Sequence, residues 1–352
     1  TYTGPAVTFS LPIGLNVTTA NAYLNSSGTG PMNVTGAITA LTGAKTFVLG
    51  GTNAGDNIVA VPIPANATNL QKIGSGTWVL NPATSNLYTG LTTVSNGTLK
   101  LQEVAGNLDL VPDAGALVFN SESFANSAGG LFSYFGAASV TSTETVGPLT
   151  ATAGHGVVQV TAGTGGAAAL TFGSLAVRGA GATLDLAVGS GGSVVFSTAP
   201  SATNGIVGGW ATYNGVNWIV PGAAGAAATA LSSYTSMAAS GLTTTANYLS
   251  TADLTVAGGE TVNSLKLAGA HTLTLGGVLT VSSSGVLFDN STGAATVTGG
   301  ALGASGAEVI IHTGGSTPAN ALTVASLISG AAGSFTKSGN GTLVVTGANT
   351  FT

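Results

Sequence analysis

Cysteine is absent from the 352 residues, which excludes disulfides, thiolate metal sites and cysteine nucleophiles. A thiol-free chain also suits export across an outer membrane, where a premature disulfide would block transit. Charge is scarce: Asp, Glu, Lys and Arg make up 5% of the chain, against roughly 25% in an ordinary soluble domain. The six basic residues stand singly from Lys45 to Lys337, so there is no basic patch for nucleic acid. The acids are equally dispersed and form no tail. No apolar run reaches the ~18 residues a membrane-spanning helix needs, and helical periodicity is nearly invisible. The first residue is Thr, not Met, which reads as a processed product or a piece of something longer.

What is abundant is small. Gly accounts for 55 residues, and Ala, Ser, Thr and Val dominate the rest, a composition that favours pleated strands over helices. Short runs alternate apolar with small polar residues: "KTFVLGG", "GTWVLN", "GTLKLQ", "GVVQVTA", "ATLDLAV", "HTLTLGGVLTV" and "GTLVVTG". Each predicts a strand with one buried and one exposed face. Their spacing suits a sandwich, a barrel or a β-helix. Three observations favour an all-β parallel β-helix (β-solenoid) with irregular coils. The turns are Gly-rich and irregular, with few hairpin signals. Outward positions carry Thr, Ser, Asn and Ala, which stack well on like neighbours. Inward positions repeat Leu, Val and Ile, as stacked coils require. Coils of roughly 20 residues would number about 15–17. A single coil cannot offset the entropy of ordering itself, whereas each stacked coil satisfies the backbone of two neighbours.

One stretch departs from the pattern. Residues 204–241 hold Trp210 and Trp218 and then an Ala-rich segment. We read an excursion or cover over the coils, with a short helix near Ala226–Ala239. Two readings of the Trp pair stand: local packing, or an aromatic surface on which sugars stack. The chain then divides into a β-rich segment 1–68, coils over 69–203, the excursion 204–241 and further coils over 242–352.

Catalytic patterns are missing. The nearest acids, Glu103, Asp109 and Asp113, read as solvated turn residues, and His155, His271 and His312 lie far apart with no metal-ligand spacing. No nucleophile elbow or phosphate loop is present. Repeated calcium-binding glycine turns are lacking too. A Ca²⁺ at an isolated turn acid such as Asp56 or Asp289 stays open as the one cofactor candidate.

Two stretches say the same thing. "KIGSGTWVLNPATSNLYTGLTTVSNGTLKLQ" runs from Lys72 to Gln102, and "KSGNGTLVVTGANTFT" from Lys337 to Thr352 repeats its first half. Lys72, Gly74, Gly76, Thr77, Asn86, Tyr88, Thr89, Gly90, Thr92, Val94, Gly97, Thr98, Leu99 and Leu101 resemble the autotransporter-associated β-strand repeat of large bacterial surface proteins. Lys337, Gly339, Gly341, Thr342, Leu343, Val345, Asn349, Phe351 and Thr352 resemble its first half. The resemblance implies a right-handed β-helical passenger or stalk outside the cell, with no catalytic residues to carry over. This chain departs from such proteins in showing no translocating β-barrel. By the same motif, Tyr2-Thr3-Gly4 corresponds to Tyr88-Thr89-Gly90 and Thr8 falls near Val94.

These readings predict a non-enzymatic structural module at the bacterial cell surface. Copies would stack end to end through Tyr2, Thr3, Gly4, Asn349, Phe351 and Thr352, a heterologous contact that grows into a filament. The alternative is an adhesin binding surface glycans through a strand face or Trp210 and Trp218. A third reading, ice or mineral binding through rows such as Thr272–Thr274, needs a flat and regular array.

Overall fold

The computed structural model describes residues 1–15, 21–39, 45–104, 106–121, 129–306, 308–330 and 334–349. The fold is an all-β parallel β-solenoid built of stacked coils. It divides into two units, one of Thr1–Pro200 with Gly222–Ala228, the other of Ser201–Pro221 with Thr229–Thr352. Among the described residues the only helical element is a 3-10 turn, Asn290–Thr292.

In the first unit eight parallel strands stack as rungs: Val7–Phe9, Met32–Val34, Asn57–Val59, Thr77–Leu80, Gly97–Gln102, Gly130–Phe135, His155–Thr161 and Thr183–Val188. Their register builds a continuous inward column, Phe9, Val34, Val59, Leu80, Leu101, Tyr134, Val160 and Val188. A second wall runs through Asn21–Asn25, Thr46–Gly50, Asn69–Lys72, Thr92–Val94, Leu117–Asn120 and Leu149–Ala153. Its inward columns are Ala22, Phe47, Leu70, Thr92, Leu117, Leu149 and, two residues along, Leu24, Leu49, Lys72, Val94, Phe119, Ala151. A third wall holds Thr141–Val146, Ala167–Phe172 and Gly192–Phe196, where Phe172 stacks on Phe196 at 5.8 Å between ring centres. Alternation in the sequence thus becomes alternation of buried and outward side chains, the period-two rule of a strand.

In the second unit Thr235–Ser236, Asn247–Ser250, Ser264–Ala268, Gly285–Asp289, Glu308–Gly314 and Ser334–Ser338 form one wall of six rungs. The facing wall contains Leu254–Val256, Glu260–Val262, His271–Val281, Ala295–Ala304, Leu322–Val324, Leu327–Gly330 and Leu343–Val345. Leu254, Leu273, Val297, Val324 and Val345 form an inward column here. Outward, Thr272 and Thr274 stand in register with Thr296 and Thr298.

Among the described residues these walls hold eight and six rungs, fewer than the expected number, and the coils of the first unit are longer than supposed. Partners in adjacent coils commonly lie 24 or 25 residues apart. The Ala-rich segment is a second correction, since no helix forms near Ala226–Ala239. Instead Thr229–Ala230 pairs antiparallel with Asn217–Val220, and Thr235–Ser236 pairs with Asn247–Ser250. An Ala-rich run this short cannot sustain a helix in water without a packed face. Its Ser and Thr residues further favour backbone contacts outside helices.

Candidate functional site

Each unit has an outer rung whose core positions are exposed. Phe9 heads the first inward column yet is 38% exposed, while Val34 beneath it is fully buried. Tyr23, outward between the inward Ala22 and Leu24, is 58% exposed, and Leu11, outside any strand, is 67% exposed. In the second unit Leu343 and Val345 are only half-buried, although Leu322 and Val324, their register partners, are fully buried. Among the described residues, Val7–Phe9 and Leu343–Val345 each pair on one side only.

The repeat's lysine explains how successive coils lock. Lys72 occupies an inward column between Leu49 and Val94 and is fully buried. Its Nζ donates to the Ile73 and Gly74 carbonyls, each at 2.7 Å, and to Asn96 O of the next coil at 3.0 Å. Burial pulls the ammonium down to about 7, and the three carbonyls, one per N–H, oppose that pull. Gly74 and Gly97 hold positive φ beside this ammonium. A Cβ on Gly97 would lie 2.4 Å from Gly74 O and 2.8 Å from Lys72 Nζ. Lys337 repeats the arrangement in an inward column above Ile311 and donates to Gly339 O. It is exposed, where Lys72 has a further coil over it.

Glu103, expected to be solvated, is buried, and so is Glu144. Glu103 is 4% and Glu144 3% exposed. Glu103 accepts from Gly106 N at 2.6 Å and Leu108 N at 2.9 Å, and Glu144 accepts from Leu110 N at 3.2 Å and Val111 N at 3.0 Å. Burial pushes Glu144 well above the usual carboxylate range, the two N–H groups oppose it, and Glu103 and Asp109 push it further up. The alternation in "TSTETV" carries the signal: Ser142, Glu144 and Val146 share the buried phase. In the second unit Glu260 likewise accepts from Gly241 N and Leu242 N, and Asp253 from Thr272 N. Asp56 stands 3.4 Å from Lys100 and Asp289 3.8 Å from Lys266, so a lysine ammonium already sits beside each proposed calcium ligand. Among the described residues no three His, Asp or Glu side chains converge as a metal set.

The two Trp residues part company. Trp218 is fully buried with Ile206 and Leu287, and His312 meets its ring edge-on at 5.7 Å. It has no free face for a sugar, which corrects that half of the glycan reading: an apolar ring next to the coil wall gains more by packing than by exposure. Trp210 is half-buried. His312 Nε2 contacts Gly209 O at 3.0 Å, and His271 contacts Ser250 Oγ at 2.9 Å, so both imidazoles sit inside packing.

The opening residues occupy another phase than their letters suggest. Tyr2 bridges Ser26, and Val7–Phe9 lies in the wall of Thr77–Leu80, not in that of Thr92–Val94. Thr8 therefore aligns through Asn33 and Ile58 with Val79, not with Val94. A short string of Thr, Gly and Val fits several phases of a small-residue coil, and the apolar Val7 and Phe9 decide which one is buried. Thr3 is exposed and Gly4 half-buried, while Asn349 accepts from Ile328 N at 2.6 Å. Phe351 and Thr352 lie outside the described residues.

The match to known proteins falls on these same coils. A family described as Passenger-associated-transport-repeat matches residues 70–101 and 335–352. These two segments are similar to the passenger-associated-transport repeat. Both lysine turns lie at or beside these matches, Lys72 inside the first and Lys337 inside the second. Over 136 residues the chain is 37% identical to the adhesin BmaC autotransporter of Brucella suis biovar 1 (strain 1330), a stretch that covers 36% of this chain and 4% of that protein. No solved structure matches. No helix among the described residues is long and apolar enough to cross a membrane.

Proposed function

We propose that this chain is a structural β-solenoid module of a bacterial surface protein, displayed outside the cell, whose terminal coils join further coils end to end. The observation that carries the reading is the pair of exposed core ends. Phe9 in the first unit, and Leu343 and Val345 in the second, are inward residues with no covering rung among the described residues. Lys337 supports it, because its buried counterpart Lys72 takes a third carbonyl from the next coil. Surface display rests on the repeat family and on the autotransporter similarity. Light scattering across a concentration series, with electron microscopy, tests the joint. Growth of rods with concentration supports it, and monomers at every concentration overturn it.

A second reading, glycan adhesion, is favoured by the printed name of the similar protein, an adhesin, and by the half-exposed Trp210. A glycan array with the intact chain and its Trp210→Ala variant separates the two: binding lost on substitution supports adhesion, and no binding leaves the structural role alone.

A further inference from the structure

Four side chains of the second unit meet where the excursion lies on its coil wall. Asn217 comes from the strand Asn217–Val220, Lys266 from Ser264–Ala268, Asp289 from the end of Gly285–Asp289, and Tyr234 from the segment between Thr229–Ala230 and Thr235–Ser236. Lys266 Nζ lies 2.9 Å from Asn217 Oδ1, 3.8 Å from Asp289 Oδ2 and 5.3 Å from the centre of the Tyr234 ring. The Tyr234 hydroxyl donates to the same Asn217 Oδ1 at 3.4 Å and accepts from Trp218 N at 3.3 Å. The lysine side chain is 10% exposed and the aspartate 19%.

An amine, a carboxamide and a carboxylate held together in a partly buried site are the reactants and the proton carrier of an amide transfer. We propose that Lys266 and Asn217 join in an intramolecular isopeptide bond, with Asp289 moving the protons and Tyr234 polarising the carboxamide.

The step balances within these groups. Lys266 passes one proton to Asp289, and the free amine attacks Cγ of Asn217. The Nζ–Cγ bond forms and the Cγ–Nδ2 bond breaks. Of the three ammonium protons, one stays on the new amide, one leaves with Nδ2 as ammonia, and one rests on Asp289 until solvent takes it. Nothing is oxidised or reduced. Burial lowers the Lys266 ammonium below its ordinary value, with Asp289 partly opposing, which raises the share of free amine. The Tyr234 hydroxyl bonds to the oxygen on which negative charge develops during attack. The residues lie 49 positions apart, so the bond closes a long loop and limits the unfolded chain as a disulfide would. In a chain without cysteine it is a covalent tie that needs no thiol.

Intact-mass spectrometry of the purified full chain, incubated at neutral pH, tests this directly. The expected mass is lower than the sequence mass by one ammonia, about 17 Da. Digestion should yield one branched peptide linking Asn217 to Lys266. Asp289→Ala and Lys266→Arg should restore the full mass, and Tyr234→Phe should slow the loss severalfold. A wild-type chain that keeps its full mass overturns the proposal, and so does an ammonia loss mapped to another asparagine. An Asp289→Ala chain that crosslinks at the wild-type rate removes Asp289 from the mechanism.

Discussion

At the scale of the residue, the repeat is held by a lysine and two glycines whose roles are steric and polar, not catalytic. Replacing Lys72 by Met keeps an inward side chain of similar length but strands the carbonyls of Ile73, Gly74 and Asn96. Unsatisfied buried acceptors cost about 1–3 kcal/mol each, and water reaching a loosened turn recovers part of that. Lys72→Met should therefore destabilise the chain by about 2–4 kcal/mol, read as a lower denaturant midpoint. Glycine offers a paired comparison. Gly97→Ala places a Cβ 2.4 Å from Gly74 O and 2.5 Å from Gly76 O at a φ of +66. Gly205→Ala, at a φ of +83, meets nothing within 4 Å. Backbone strain alone costs about 1 kcal/mol, so the Gly205 variant should lose about that much. The Gly97 variant should lose at least about 3 kcal/mol. Equal losses in thermal melts would mean that the coil contact at Gly97 is looser than its geometry states.

At the scale of the element, the connection from Gly97–Gln102 to Leu117–Asn120 is pinned by buried carboxylates. Glu103 and Glu144 take four of its backbone N–H groups between Gly106 and Val111. Burial raises Glu144 above its unfolded value, and Glu103 and Asp109 add to the rise. Burial raises Tyr88 and Tyr134, and the Glu144 charge adds to the rise in both. A group raised on folding contributes stability that is complete below its unfolded pKa, near 4.5, and is lost as pH climbs through the folded value. The chain should thus lose stability as pH rises from about 4.5 toward neutrality. Glu144→Gln, which cannot titrate, should remove that slope while costing about 1 kcal/mol for one mismatched N–H. Denaturant midpoints of both chains across the pH series check the sign, and a parallel slope in the variant would place the effect elsewhere. The strands around this loop were legible, because alternation of Leu, Val and Phe with small polar residues reports burial directly. The loop was not, although "TSTETV" already sets Glu144 in phase with Val146. A charge on an inward phase reads as an error in the pattern until the N–H groups that neutralise it are known. The cover on the second unit was seen only as a break in alternation. Asn217, Tyr234, Lys266 and Asp289 come from four separate segments, so no local spacing could have brought them together.

At the scale of the whole molecule, both the solenoid class and the repeat could be read from the letters, whereas the phase of the first coil could not. Register is set by which side chains are buried, and one slip moves every residue to the opposite face. Val7 and Phe9 stand at the phase of Met32 and Val34, and that placement makes the exposed end apolar. An apolar end is unfavourable in water by roughly 25 cal/mol for each Å² left uncovered, and its unpaired strand edges invite another strand. A charge placed there should oppose association without touching the interior. Phe9→Asp and Val345→Asp, one in each unit, should each shift a concentrated sample toward monomer by tenfold or more in dissociation constant, as two apolar contacts are worth at least about 1.4 kcal/mol. Thr8→Asp, outward on the same strand at an exposed position, should change it little. Sedimentation equilibrium distinguishes the cases. If Phe9→Asp and Thr8→Asp behave alike, association runs through the strand's outer flank, and the exposed core ends are not the joint.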